Sequence, residues 1–301
     1  MSAHPANPSL RRPSSLRGTL TAPGDKSVSH RSLLLNALGI GRARVTNFVP
    51  SADCLSTMRC LQALGVTIER HDDGSLTVEG RGRAALAEAA DVLDCGNSGT
   101  TLRLLAGVLA GCPFFSVLTG DASLRSRPMG RIVAPLTAMG ARIGGRADDS
   151  RAPLAIRGGA LQGIEWRLPV SSAQIKSAVL LAGLAASGPT TALSPEPSRD
   201  HTERMLRAMG ADLRGDGVAV TVHPATAPLR AVDVVVPGDV SSAAYWLAAG
   251  CAHPDAEITV RDVGVNPTRT GLLDVLAEMG ARIERTNERE VAGEPIADLT
   301  A

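Results

Sequence analysis

Pro23-Gly24-Asp25-Lys26-Ser27-Val28-Ser29-His30-Arg31 puts an ammonium, two hydroxyls and a guanidinium on a Gly-rich turn just ahead of the apolar stretch Leu33 to Leu38. A helix opening there directs unpaired backbone N–H groups and the positive end of its dipole at whatever lies in front, so the turn reads as an anion site. Lysine is rare in this chain: only Lys26 and Lys176 stand among 31 Lys and Arg residues. A compact ammonium can sit between two anionic groups where a planar guanidinium cannot, so its retention at position 26 is informative. Ser27 as a plain helix cap, with Arg31 solvated, is the competing reading. A Walker A loop is excluded, because its spacing of glycine, lysine and hydroxyl is not met.

Four further stretches have similar chemistry. Asp94-Cys95-Gly96-Asn97-Ser98-Gly99-Thr100-Thr101-Leu102-Arg103 combines glycines, which let a ligand approach the backbone, with three hydroxyls and an arginine. Arg127, just before Pro128, is suited to a bidentate grip on phosphate or carboxylate. Ser171-Ser172-Ala173-Gln174-Ile175-Lys176 offers a hydroxyl and an amide to a polyol, while Lys176, two residues from Gln174, faces away and reads as structural. Arg199-Asp200-His201-Thr202 opens another helix. His201 has no partner pattern for a general base and is read as a surface or capping histidine.

Composition narrows the class of function. A formal charge of +1, with three Phe, two Trp and one Tyr, argues against nucleic acid binding, which needs a basic face and stacking aromatics. Five cysteines without a C-x-x-C pair suggest neither a disulfide framework nor a zinc ribbon, and fit a reducing cytoplasm. No apolar run approaches a membrane span, and the first 24 residues, poor in acids and lacking an apolar core, read as a frayed leader rather than a secretion signal.

These chemical stretches recur with a period. Gly65, Gly140, Gly210 and Gly280 each end a Leu-x-x-Leu/Met-Gly pattern, at intervals of 75, 70 and 70 residues. Ser27, Ser98, Ser172 and Ser241 each precede a very apolar helix, at intervals of 71, 74 and 69. Two markers with one period define a repeat of turn, buried helix, strand, second helix, strand and strand. Strands are expected after each glycine, as at Arg142-Ile143 and Arg282-Ile283, with hairpin turns at Asp72-Asp73-Gly74 and Gly215-Asp216-Gly217. Such units make an α/β architecture with helices in the core, sheets as walls, and several helix N-termini aimed at one cleft.

The stretches Pro23 to Arg31, Leu93 to Arg103, Arg127-Pro128-Met129, Leu168 to Gly183, Arg199 to Gly210 and Val236 to Ala244 closely resemble the 5-enolpyruvylshikimate-3-phosphate synthase family. The resemblance implies an inside-out α/β barrel of βαβαββ-type units in two domains. It also implies transfer of the enolpyruvyl group of phosphoenolpyruvate to the 5-hydroxyl of shikimate 3-phosphate, with no metal or organic cofactor. By similarity Lys26, Ser27, Arg31, Ser172, Ala173, Gln174 and Arg199 contact shikimate 3-phosphate, and Lys26, Asn97, Gly99, Arg127 and Gln174 contact phosphoenolpyruvate. Gly99 bears on glyphosate inhibition in the family. A cytoplasmic monomer in aromatic amino acid biosynthesis, with small-molecule partners only, is the expectation. The related UDP-N-acetylglucosamine enolpyruvyl transferases are set aside: they have Lys-Asn where this chain has Lys26-Ser27, and a reactive cysteine that Thr119 to Arg127 lacks.

The same resemblance assigns residues 23–237 to a complete domain II of three repeats, and residues 1–22 with 238–301 to a partial domain I, made of the N-terminal strand plus one repeat. The acid/base Asp and Glu are expected beyond Ala301, since the context of Asp298 does not match. The expectation at this point is a C-terminally truncated, catalytically incomplete chain, with a non-catalytic phosphate-ester-binding fragment as the alternative.

Overall fold

The computed structural model describes residues 13–301. The earlier part of the leader lies outside the described residues, but its end is no frayed segment. Leu16–Thr21 is a strand, β1, in parallel register with a strand some 240 residues later in the chain.

The chain continues with α1 (Lys26–Leu38), β2 (Ile40–Thr46), α2 (Ala52–Ala63), β3 (Thr67–Arg70) and β4 (Leu76–Arg81). A second unit holds β5 (Leu93–Asp94), α3 (Gly99–Ala110), β6 (Phe115–Thr119), α4 (Ala122–Ser126), α5 (Gly130–Ala138), β7 (Arg142–Gly145), the short turn α6 (Arg146–Asp149) and β8 (Arg151–Arg157). A third holds β9 (Glu165–Arg167), α7 (Ala173–Gly183), β10 (Thr190–Leu193), α8 (His201–Ala208), β11 (Leu213–Asp216) and β12 (Ala219–Val222). Then come β13 (Val234–Val235), α9 (Val240–Ala252), β14 (Ala256–Gly264), α10 (Gly271–Glu278), β15 (Glu284–Val291) and β16 (Glu294–Thr300).

Each unit folds its strands into one four-stranded mixed sheet, ordered β13-β2-β4-β3, β5-β6-β8-β7, β9-β10-β12-β11 and β1-β14-β16-β15. The first pair of each sheet is parallel, joined through a buried helix in the second and third sheets (α3 and α7), and the other two pairs are antiparallel. The first and last sheets borrow their leading strand from afar. β13 completes the first sheet and β1 completes the last, so the chain passes twice between two hydrophobic cores. At the crossovers Pro23-Gly24-Asp25 and Pro237-Gly238-Asp239 face each other, and the N–H of Asp25 and Asp239 donate to the carbonyls of Pro237 and Pro23. Arg269 reaches both carboxylates, at 3.5 Å from Asp25 and 3.2 Å from Asp239.

The periodic glycines earn their place at the second helix of each unit. Gly65, Gly140, Gly210 and Gly280 all have φ between 87° and 111°, conformations costly for residues with a Cβ. In all four the residue after the glycine donates five positions back, and the glycine donates three positions back, which closes the helix with paired carbonyls. The expected strand at Arg282-Ile283 begins later, at Glu284, because that cap leaves the intervening residues in irregular backbone. The Gly215 hairpin is shifted too: β11 runs through Asp216, and the turn falls at Gly217-Val218.

The inside-out arrangement expected from the sequence is the one adopted. Eleven of the thirteen residues of α1 are buried, so the helix has no polar face to show water. Between α3 and α7, Gly107 lies against the backbone of Ala178, where any Cβ would collide. At the far ends of these helices Arg83 donates 2.6 Å bonds to the carbonyls of Val108 and Leu181, satisfying acceptors that the helix ends leave open. Among the described residues no helix is long and apolar enough to cross a membrane.

Polar side chains inside this core form a chain of hydroxyls. His30 Nδ1 pairs with Thr57 Oγ1 at 2.7 Å, Thr57 with Thr101 at 2.7 Å, and Thr101 donates to Ser98 Oγ at 2.7 Å. Burial, reinforced by the charge of Arg31, pushes the His30 imidazole down from 6.5 to about 3. The folded chain therefore rejects a proton that the unfolded chain accepts. The resulting stability is full above about 6.5 and declines as pH falls toward 3, by up to about 1.4 kcal/mol per pH unit. His30→Gln should flatten this acid limb in urea unfolding curves recorded between pH 7 and 4. An unchanged limb would show that His30 is not the group being titrated.

Candidate substrate cleft

Three buried helices begin at one end of the larger core. Asp25 accepts from Val28 N at 2.9 Å, Ser98 from Thr101 N at 3.1 Å and Ser172 from Ile175 N at 3.5 Å, capping α1, α3 and α7 in turn. Because Asp25 caps α1, Ser27 is not the cap that the simplest reading of its sequence made it. Its hydroxyl instead receives a 3.3 Å bond from Arg199 Nη1.

These helix starts, together with that of α8, border a cavity of about 230 Å³. It is lined by Lys26, Ser27, Arg31, Thr100, Ala173, Gln174, Arg199 and His201. Ser172, Ala173, Gln174 and Arg199 also line an adjoining hollow of about 360 Å³ with Ser171, Pro197 and Ser198. Six of the residues named for shikimate 3-phosphate thus share one cavity and the seventh, Ser172, lines its neighbour.

Lys26 is half exposed, and its Nζ lies 2.9 Å from Asp53 Oδ2 at the start of α2. Arg31 is buried, and protein acceptors fix its guanidinium: Thr202 Oγ1 at 2.6 Å, the carbonyl of Ser27 at 3.0 Å and Ser177 Oγ at 3.1 Å. Burial lowers its pKa from the usual arginine value. Gln174 is oriented from both sides, accepting from Arg103 Nη1 at 2.6 Å and donating to Thr100 Oγ1 at 2.8 Å.

The residues named for phosphoenolpyruvate, apart from Lys26 and Gln174, form an adjacent cluster. Arg127 donates to Asn97 Oδ1 and, at 3.3 Å, to Ser123 Oγ, while Asn97 donates to Asp121 at 2.6 Å. The backbone N–H of Leu124 and then the Asn97 amide hold the Asp121 carboxyl below its ordinary range. A Cβ on Gly99 would come within 3.4 Å of Arg127 Nη1 and 2.7 Å of Arg103 Nη1, so glycine there lets both guanidiniums close over the helix start.

Two sequence readings meet different outcomes. Lys176 is fully buried and paired with Glu203 at 2.5 Å, the structural role expected for it. His201 is not on the surface: it is buried, lines the cavity and pairs through Nδ1 with Glu294 at 2.8 Å. Glu294 lies at the start of β16, 93 positions away, and no local pattern could have disclosed it. Asp53 and the Arg103–Gln174 bond were missed for the same reason.

The neighbouring residues of α8 are tied down in the same manner. Asp200 accepts from Asn266 at 2.7 Å and from Arg204 at 2.9 Å. Burial works against its charged form, yet these bonds keep its carboxyl below the ordinary range.

A family model described as EPSP synthase (3-phosphoshikimate 1-carboxyvinyltransferase) matches residues 10–300. Among curated proteins, the 3-phosphoshikimate 1-carboxyvinyltransferase of Chloroflexus aggregans is 57% identical over 293 residues, covering 96% of this chain and 67% of that protein. The protein of the same name from Geobacillus kaustophilus is 53% identical over 287 residues, covering 95% and 67%. Of solved structures, the EPSP synthase of Acinetobacter baumannii superposes with a TM-score of 0.91 at 45% identity, over 95% of this chain and 64% of that one. The chain thus spans about two thirds of the length of these relatives.

Proposed function

We read the function of this chain from one premise: it belongs to the EPSP synthase family. We propose that its cleft binds shikimate 3-phosphate and phosphoenolpyruvate for transfer of the 1-carboxyvinyl group. The observation supporting this is one cavity bordered by four helix starts and by Lys26, Arg31 and Arg199, with no carboxylate among its described lining residues. Such a cavity favours a multiply charged anion even though the whole chain is nearly neutral.

In this reading Lys26, Ser27, Arg31, Ser172, Ala173, Gln174 and Arg199 hold shikimate 3-phosphate. Lys26, Asn97, Gly99, Arg127 and Gln174 hold phosphoenolpyruvate. The 5-hydroxyl oxygen bonds to C2 of phosphoenolpyruvate while C3 takes up a proton, giving a tetrahedral intermediate; the bond from C2 to the phosphate oxygen then breaks as C3 gives up a proton, and the hydroxyl proton leaves with the phosphate. Lys26 and Arg127 offset charge on the departing phosphate, and Gln174, fixed by Arg103 and Thr100, sets the two ligands side by side. Residues 23–237 act as domain II, while the N-terminal strand and residues 238–301 belong to domain I. A cytoplasmic monomer in which glyphosate competes for the Arg127 side of the cleft completes the proposal.

Calorimetry with shikimate 3-phosphate tests binding, and release of inorganic phosphate with both substrates tests turnover. A saturable 1:1 isotherm is expected. Heat indistinguishable from dilution would overturn the assignment of the cleft whatever the turnover assay gives.

A further inference from the structure

A smaller cavity of about 170 Å³ opens where α3, α5 and α7 meet, lined by Arg103, Pro128, Arg131, Ile132, Ser172, Gln174 and Ile175. We propose that it is a second anion subsite, in which Arg103 and Arg131 grip one phosphate or carboxylate group beside Ser172.

The charge around this cavity is uncompensated. Among the described residues neither Arg103, Arg127 nor Arg131 has a carboxylate within ion-pair distance, whereas Arg204 and Arg269 are both paired with aspartates. The only hydrogen bond Arg103 makes among the described residues is to the neutral amide of Gln174. Arg131 is the second residue of α5, where the helix dipole is positive and a cation is unfavourable. Burial, then the proximity of Arg127 and Arg131, lowers the pKa of Arg103. Arg103 and Arg131 line the hollow beside two helix starts, with Arg127 close to Arg103, and these positive groups repel one another until an anion enters. The hollow has room for one such group rather than for a sugar-sized ester.

The subsite is joined to the main cleft through Gln174, which borders both cavities. An anion on Arg103 competes for the N–H now given to Gln174 Oε1, and so frees that carbonyl to turn toward the cleft. Two sources supply the required chemistry: free inorganic phosphate, or the acidic end of a larger ligand seated in the main cleft. Only the second source rests on the function proposed above.

The test titrates inorganic phosphate into the full chain and its R131Q, R103Q, R127Q and K26M variants, by calorimetry and by phosphorus NMR. R131Q and R103Q should each weaken one phosphate-binding event by roughly 10-fold, the loss of one charge-assisted bond, and that event persists in R127Q and K26M, which weaken phosphate only in the main cleft. Arg131 is exposed, so R131Q keeps the test valid if R103Q proves unstable. Phosphate affinity unaltered by R131Q, or lost in K26M or R127Q alone, would place phosphate in the main cleft and overturn the subsite.

Shikimate 3-phosphate titrations separate the sources. If free phosphate is the occupant, both ligands bind together and R131Q leaves the ester unaffected; if the ester itself reaches in, phosphate competes with it and R131Q weakens both. A wild-type chain that ignores the ester but shows the R131Q effect on phosphate would overturn the proposed function and leave the subsite standing.

Discussion

Glu203→Ala should lower the unfolding free energy by about 3–5 kcal/mol, the usual result of removing one partner from a buried ion pair. Lys176 is completely buried on α7 and Glu203 nearly so on α8, with 2.5 Å between Nζ and Oε1. The carbonyl of Ser198, 3.4 Å from Nζ, is a weak substitute. Without Glu203 the ammonium must stay charged without a counter-ion, lose its proton, or drag its helix toward water. Lys176→Met combined with Glu203→Leu should regain most of the loss, since apolar residues of similar volume need no counter-charge. Urea unfolding of both variants measures this. A loss below about 1 kcal/mol in Glu203→Ala, the range of exposed pairs, would mean that water already reaches the pair. The site should register the change as well, because Lys176 follows Gln174 by two residues and Glu203 follows Arg199 by four.

Lys26→Arg should weaken shikimate 3-phosphate and phosphoenolpyruvate alike by about 10-fold, and Lys26→Met by about 100-fold, a span set by charge-assisted hydrogen bonds of roughly 1.5–3 kcal/mol. Position 26 opens α1, and its ammonium is already held 2.9 Å from Asp53. A ligand phosphate must therefore share or displace that carboxylate. Three rotatable N–H donors on a compact head can serve Asp53 and an anion together, but a guanidinium fork held flat against Asp53 aims its remaining donors elsewhere. Calorimetry with each ligand decides the matter. Equal affinities in Lys26→Arg and the parent chain would remove Lys26 from the cleft. A selective loss of one ligand would restrict it to half of the proposed role.

These two lysines illustrate how far a sequence can be read. The scarcity of lysine singled both out, and spacing from Gln174 assigned Lys176 a structural role. The pairing that makes Lys176 tolerable inside the core could not be read, because Glu203 is 27 positions away and looks like any exposed helix residue. His201 was misjudged for a related reason. Its partner Glu294 comes from the second core, and a histidine without a visible partner resembles a surface one.

What the sequence determined by itself was everything written in local periodicity. The glycines at 65, 140, 210 and 280 had to end helices, because the same backbone bonds close each one at positive φ. The apolar runs after the first three polar turns had to be inner helices, since they leave no face for water; the fourth, α9, departs from that expectation and leaves Tyr245 and Trp246 exposed, with only Val240, Ala243, Leu247 and Gly250 buried. Together these gave the repeat, the inside-out packing and the common direction of the helix starts.

Tertiary structure decided what local spacing cannot express. It fixed the partner strand and register of β1, which the sequence had assigned only to a domain, and it sent β13 back to the first sheet, because strand pairing depends on which backbone edges meet in space. It made Asp25 rather than Ser27 the cap of α1, leaving that hydroxyl to Arg199. It also brought Arg103 close to Arg127 and Arg131, none of them within ion-pair distance of a described carboxylate, since electrostatic fields depend on distance through space and not on separation along the chain.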